Sequence, residues 1–155
     1  MNIRIVDFGL LTKHYKNYQK GIEEINNLKN EYVKRLEPIR KEMESIVKIL
    51  SSNIQLDNNK TEREQRFQIL QQEAMRIDNE YKDKIKPAKS DLDLKTYEEL
   101  EEVITEWSKE NEIDATFGNN DIVFYKENLD ATSHILERLK EKELYTELDY
   151  LETIN

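Results

Sequence analysis

Two histidines, a run of glutamates and one polar loop are the places in this 155-residue chain where side chains able to do chemistry gather. His134 follows Asp130 by four residues, which puts imidazole and carboxylate on one helix face. A metal site needs further ligands and catalysis needs a nucleophile; neither neighbours the pair, so a capping or solvated role is the simpler reading. His14 stands alone. The loop Asp57-Asn58-Asn59-Lys60 has oxygen ligands but lacks the central glycine and terminal glutamate of a calcium loop. Asp7-Phe8-Gly9 matches a kinase string, yet no glycine-rich phosphate loop or catalytic loop accompanies it. Glu98, Glu99, Glu101 and Glu102 read as a solvated helix face. With no cysteine, disulfides, thiolate zinc and thiol catalysis are excluded, and a reducing compartment fits. The expectation is therefore a non-enzyme with no catalytic residue, no metal and no cofactor.

The elements around these residues are dominated by helical periodicity. Phe8, Tyr15, Ile22, Leu36, Met43 and Leu50 lie on one set of heptad positions, and Leu11, Tyr18, Ile25, Tyr32, Ile39 and Ile46 on the other. Only Lys29 puts a charge on that seam. The pattern predicts a helix from Leu11 to about Asn53, kinked at Pro38 without loss of phase. Thr61 with Glu64 reads as a capping box opening a second helix, whose seam is Phe67, Leu70, Ala74, Ile77 and Tyr81. A short polar connection makes the two helices antiparallel neighbours, with the tip near 54–61. Heptad phase is lost after Pro87, which predicts a bend or short break across Ala88–Asp93 before Tyr97, Leu100, Ile104 and Trp107 resume it. Tyr15, Tyr18 and Tyr32 read as core with hydroxyls reaching solvent, and Gly21 as a place where another backbone comes close or as mere tolerance.

Both ends of the chain change period. Ile3 to Phe8 alternates as a short strand. Ile113–Phe117 and Ile122–Tyr125, joined by Gly118-Asn119-Asn120-Asp121, read as a β-hairpin. Asp130 caps a last helix carrying Ile135, Leu136 and Leu139, and the charged tail 141–155 extends it. The fold class is α+β: a small β-body formed by an N-terminal strand and a C-terminal hairpin (1–9 and 112–140), with a long antiparallel helical hairpin arm (10–111) inserted and a C-terminal helix.

This order of parts, with Ile3-Arg4-Ile5-Val6-Asp7-Phe8-Gly9 at the start and Leu129-Asp130-Ala131-Thr132 opening the last helix, resembles the Skp (OmpH-like) family of holdase chaperones. The resemblance implies a homo-oligomer, a trimer, in which strands of three subunits build one body and the arms surround a non-native or assembly-prone protein client. Open sheet edges and a small core favour such closure. The expected oligomer interface is Ile3, Ile5, Phe117, Val123 and Tyr125. The expected arm seam is Ile22, Ile25, Tyr32, Leu36, Ile39 and Met43 against Phe67, Leu70, Ile77 and Tyr81.

Composition sets limits on the role. Hydrophobic and charged residues each make up 37%, enough for one modest core and a narrow seam but not for a large enzyme core. No apolar run reaches a membrane span. The net charge is −9, carried unevenly: residues 10–87 hold 16 basic and 13 acidic side chains, and residues 88–155 hold 7 and 19. No nucleic-acid role follows, since phosphate binding wants a clear positive surplus. The N-terminus has neither the basic stretch nor the apolar run of a secretory signal, which predicts the cytoplasm for a complete chain and the periplasm for a trimmed one. Two roles fit. One is an ATP-independent holdase or assembly chaperone; the other is a structural or scaffolding subunit, for example of a virus-like assembly, holding one folded partner.

Overall fold

Strand β1 (Ile3–Val6) stops at Asp7, whose carboxylate accepts from the Leu10 N–H at 3.0 Å and caps helix α1 (Phe8–His14). The computed structural model describes residues 1–52 and 59–151, so the expected tip, 54–61, lies largely outside the described residues. Helix α2 (Lys16–Ser51) begins after one non-helical residue, Tyr15, at φ −81° and ψ 115°. The single helix expected from Leu11 is thus two. At the junction the Leu144 carbonyl accepts from the Lys16 N–H at 2.8 Å, and the Thr146 N–H donates to the His14 carbonyl at 2.9 Å. Pro38 lies within α2; it and Lys34, whose carbonyl loses its helical donor, are both exposed, so water can serve that group.

Helix α3 (Lys60–Glu110) is continuous. Thr61, expected as its cap, sits inside the first turn, and the break expected after Pro87 is absent. Consecutive four-residue steps, Ile77–Tyr81–Ile85 and Ala88–Leu92–Thr96–Leu100, explain the lost heptad phase: they shift the register while preserving the 3.6-residue helical period. Glu112 ends the helix at φ 54°, with the Ile113 N–H reaching back to the Ser108 carbonyl at 2.9 Å, a left-handed cap made without glycine.

Strand β2 (Ala115–Gly118) pairs with β1 in parallel, in the register Ile3↔Ala115 to Val6↔Gly118. On the other edge of β1, Ile5 bridges Asp130 in parallel and its carbonyl accepts from the Ala131 N–H at 2.8 Å. The chain must therefore cross from one side of β1 to the other between Gly118 and Asp130. This crossing corrects the expected hairpin. The turn at Asn119 forms, but Ile122–Tyr125 is spent on the crossing and is no strand among the described residues. A short 3₁₀ turn (Glu127–Leu129) leads into α4 (Thr132–Glu141).

The chain divides into two compact units, Met1–Glu24 with Lys89–Asn155, and Ile25–Ala88. Helical turns that the sequence assigns to the arm thus belong to the first unit. Its core joins Val6, Leu11, Tyr15, Tyr18 and Ile22 to Leu100, Val103, Ile104 and Trp107, and is closed by Ala131, Ile135 and Leu139. Gly21 is required there for close packing: a Cβ at that position would stand 2.4 Å from Leu92 Cδ1. The approaching group is a side chain.

In the second unit α2 and α3 run antiparallel, as the order of their contacts shows. Tyr32 meets Tyr81 edge to face at 5.1 Å, Arg35 meets Glu80 at 3.0 Å, and Glu42 meets Arg66 at 2.8 Å. Ile25, Tyr32 and Ile46 on α2 and Leu70 and Ile77 on α3 are buried.

Candidate functional site

The helical spacing that buries Tyr32 and Ile46 leaves a second stripe of α2 less covered. Leu36, Ile39, Met43 and Val47 of that stripe face Phe67 and Ala74 of α3 across an open trough of about 660 Å³. Leu36, Ile39, Met43 and Phe67, expected as fully packed seam, are only half-buried, and Val47 is exposed. Arg40, Glu44 and Lys48 complete the lining. Arg40 spends its charge on its own helix, bonding Glu37 at 2.6 Å and Glu44 at 2.5 Å, and it holds the Glu37 carboxyl below the usual carboxylate range. The trough is thus an apolar surface edged by the paired Arg40 and Glu44 and by Lys48. Such a surface takes up apolar side chains without reading a sequence, and the unbranched Met43 adapts to their shape.

The first unit offers a different surface. From Val123 to Tyr125 the chain is irregular, with no backbone–backbone hydrogen bond to other described residues, and Val123 and Phe124 are 104% and 79% exposed. Phe117 on β2 is also exposed. Among the residues expected at an oligomer interface, Ile3 and Tyr125 are half-buried and Ile5 is buried by its own chain, so Ile5 has no surface left to offer.

The residues of reactive type separate into unrelated structural jobs. The Asp130 carboxylate accepts from the Thr132 N–H at 2.8 Å at the start of α4, one residue before the cap position Ala131, while His134 stacks on Trp107 at 5.6 Å. His14 Nδ1 donates to the Thr146 carbonyl at 3.0 Å, and its ring stacks on Tyr145 at 5.1 Å. Glu98, Glu101 and Glu102 are exposed on a cleft of about 1110 Å³ that also holds Lys95, Lys109 and Lys142. Glu99 departs from the expected solvated face, accepting from the Tyr15 hydroxyl at 2.6 Å. Burial first, and then that bond to a carboxylate, push the Tyr15 phenol up to about 12. Among the described residues no group of three metal-ligating side chains occurs.

The tail is where sequence reasoning erred most. Instead of extending α4, the chain reverses at Glu143, φ 59°, and Leu144, Tyr145 and Tyr150 pack on the core of the first unit. Gln19 is buried, donating to the Lys13 carbonyl at 2.8 Å and accepting from the Tyr150 N–H at 2.9 Å. The apolar positions Leu144, Tyr145 and Tyr150 were a signal that the tail's charges obscured.

A small parallel-strand unit with exposed apolar chain, inserted with a helical hairpin that bears an apolar trough, has the make-up of a protein-binding, chaperone-type molecule. The family model described as outer membrane protein (OmpH-like) matches residues 2–139, and the chain belongs to that family. The family is one of chaperones that bind protein clients; it is generally non-enzymatic and typically periplasmic, so it lends no support to the cytoplasmic expectation. No curated protein matches the chain. Among the described residues no helix is long and apolar enough to cross a membrane.

Proposed function

We propose that the protein is an ATP-independent holdase or assembly chaperone that encloses a non-native or assembly-prone client between the helical hairpins of a homotrimer. The observation that carries this reading is the apolar trough on the hairpin of a chain whose family match runs from residue 2 to residue 139. Client side chains that are buried in a native fold but exposed before folding are the chemistry such a trough takes. Trimer contacts come from the first unit through Phe117, Val123 and Phe124, with Ile3 and Tyr125 beside them. An unpaired apolar segment that follows a two-stranded sheet gains both hydrogen bonds and cover from a second copy.

The test is suppression of aggregation of a heat-unfolded protein without ATP. The chain with Met43→Lys and Val47→Lys is expected to lose suppression while its helicity and sedimentation stay unchanged. Unchanged suppression would remove the trough from the mechanism. Recovery of the native chain at fixed ratio with one folded partner, without activity on unrelated proteins, would favour the scaffolding role instead. Val123→Asp is expected to dissociate the oligomer, because it places a charge where apolar cover is needed.

A further inference from the structure

No residue between Thr12 and Tyr18 is a glycine or proline, and Leu11, Tyr15, Tyr18 and Ile22 keep helical spacing straight through the junction of α1 and α2. Local sequence therefore favours one helix where the structure has two. What holds them apart comes from the far end of the chain, beyond residue 139 where the family match ends.

The segment Glu143–Tyr150 supplies partners to both helix ends at once. A continuous helix would bond the Lys16 N–H to the Thr12 carbonyl; here Thr12 takes the Tyr15 N–H at 3.1 Å, and Lys16 turns to the Leu144 carbonyl. The His14 carbonyl, one of the orphan acceptors at the end of α1, takes the Thr146 N–H. Side chains reinforce the insertion. Tyr145 lies between His14, stacked at 5.1 Å, and Lys140, whose ammonium sits 4.8 Å from the ring centroid. Gln19 ties Lys13 to Tyr150, and Lys13 meets Asp149 at 3.8 Å. The reversal that delivers the segment is held by Leu144 N–H to the Leu139 carbonyl at 2.8 Å.

We propose that Glu143–Tyr150 is a wedge that imposes the break at Tyr15, and that its withdrawal joins α1 and α2 into one helix. Only Asp7 separates α1 from β1, so realigning α1 pulls β1 off β2. A partner that binds the free C-terminal segment would thereby loosen the sheet, because it favours the withdrawn state by its differential affinity.

The experiment compares the whole chain with one ending at Lys142. In the shortened chain the Tyr15 Cα chemical shift is expected to move from the extended to the helical range, and the amides of Ile3–Val6 to exchange about tenfold faster or more. A synthetic peptide of residues 143–151 at millimolar concentration should reverse both changes. The full-length double variant Thr146→Pro, Tyr145→Ala, which removes the Thr146 N–H bond to His14, the Tyr145 ring's contacts with His14 and Lys140, and the two side-chain bonds these residues make within the segment, should shift Tyr15 in the same direction. A Tyr15 that stays extended in both proteins overturns the proposal. So does loss of cooperative unfolding, read by Trp107 fluorescence, in both, because the segment would then be core and not a wedge.

Discussion

Gly21→Ala sets two effects of similar size against each other. In an open helix interior the change gains about 1 kcal/mol. Here the new Cβ would stand 2.4 and 2.8 Å from the two Leu92 methyl carbons and 3.2 Å from Leu92 Cγ, which forces a rotamer change or a shift of helix against helix. Overpacking of this kind costs about 1–3 kcal/mol. Leu92 is half-buried and can swing partly outward, so the middle of that range, about 2 kcal/mol, applies in place of its upper end, and the net effect is a loss of about 1 kcal/mol. Urea denaturation followed by circular dichroism measures it. In a Leu92→Ala background the obstacle is gone, and Gly21→Ala should turn stabilising by about 1 kcal/mol, giving a coupling energy of about 2 kcal/mol. A gain of about 1 kcal/mol in both backgrounds would refute the reasoning, since α2 and α3 would then not touch at that point.

Leu100→Ala, at a fully buried site in the core of the first unit, is expected to cost about 3–5 kcal/mol by the same denaturation assay. Glu112→Gly relieves a left-handed residue at the end of α3 and should raise stability by about 0.5–1 kcal/mol. Tyr15 has a folded pKa raised to about 12 from an ordinary value near 10, so the stability its phenol contributes is complete below pH 10 and is lost as pH rises toward 12. The native chain should lose about 1–2 kcal/mol more than Tyr15→Phe across that interval, a figure reduced from the full linkage value for solvent screening. If the apolar trough takes acidic clients with help from the basic surplus of residues 10–87, capture measured by light scattering should weaken as salt rises past 0.1 M, where screening acts over ~10 Å.

The helices were legible because long amphipathic patterns state their own period. Burial at Ile22, Ile25, Tyr32, Leu70 and Ile77 falls where that period puts it. The parts that escaped were those decided by distant contacts. Nothing local to Tyr15 breaks a helix; the Leu144 carbonyl and the Thr146 N–H do. Ile122–Tyr125 has the composition of a strand, yet β1 binds β2 on one side and Asp130 on the other, and the connecting residues are used up in passing between them. The break expected after Pro87 follows from the loss of the seven-residue repeat there, whereas α3 keeps only the helical period. For the trough the lining residues Leu36, Ile39, Met43 and Phe67 were in hand, but sequence could not tell a closed seam from an open one, because that depends on how far apart two helices stand at each turn.

The pairing of Ile3 with Ala115 has a consequence for synthesis on the ribosome. Asn2 and Asp114, which flank the paired strands and bond to each other, are 112 residues apart, and at ~5–20 residues per second the later one follows the earlier by roughly 6–22 s. Through that interval the first strand is out of the ribosome with no partner, while hairpin contacts such as Tyr32 with Tyr81 can already form. A strand as apolar as Ile3-Arg4-Ile5-Val6 must wait unpaired beside other nascent chains, and the single charge of Arg4 is what it carries against pairing with them.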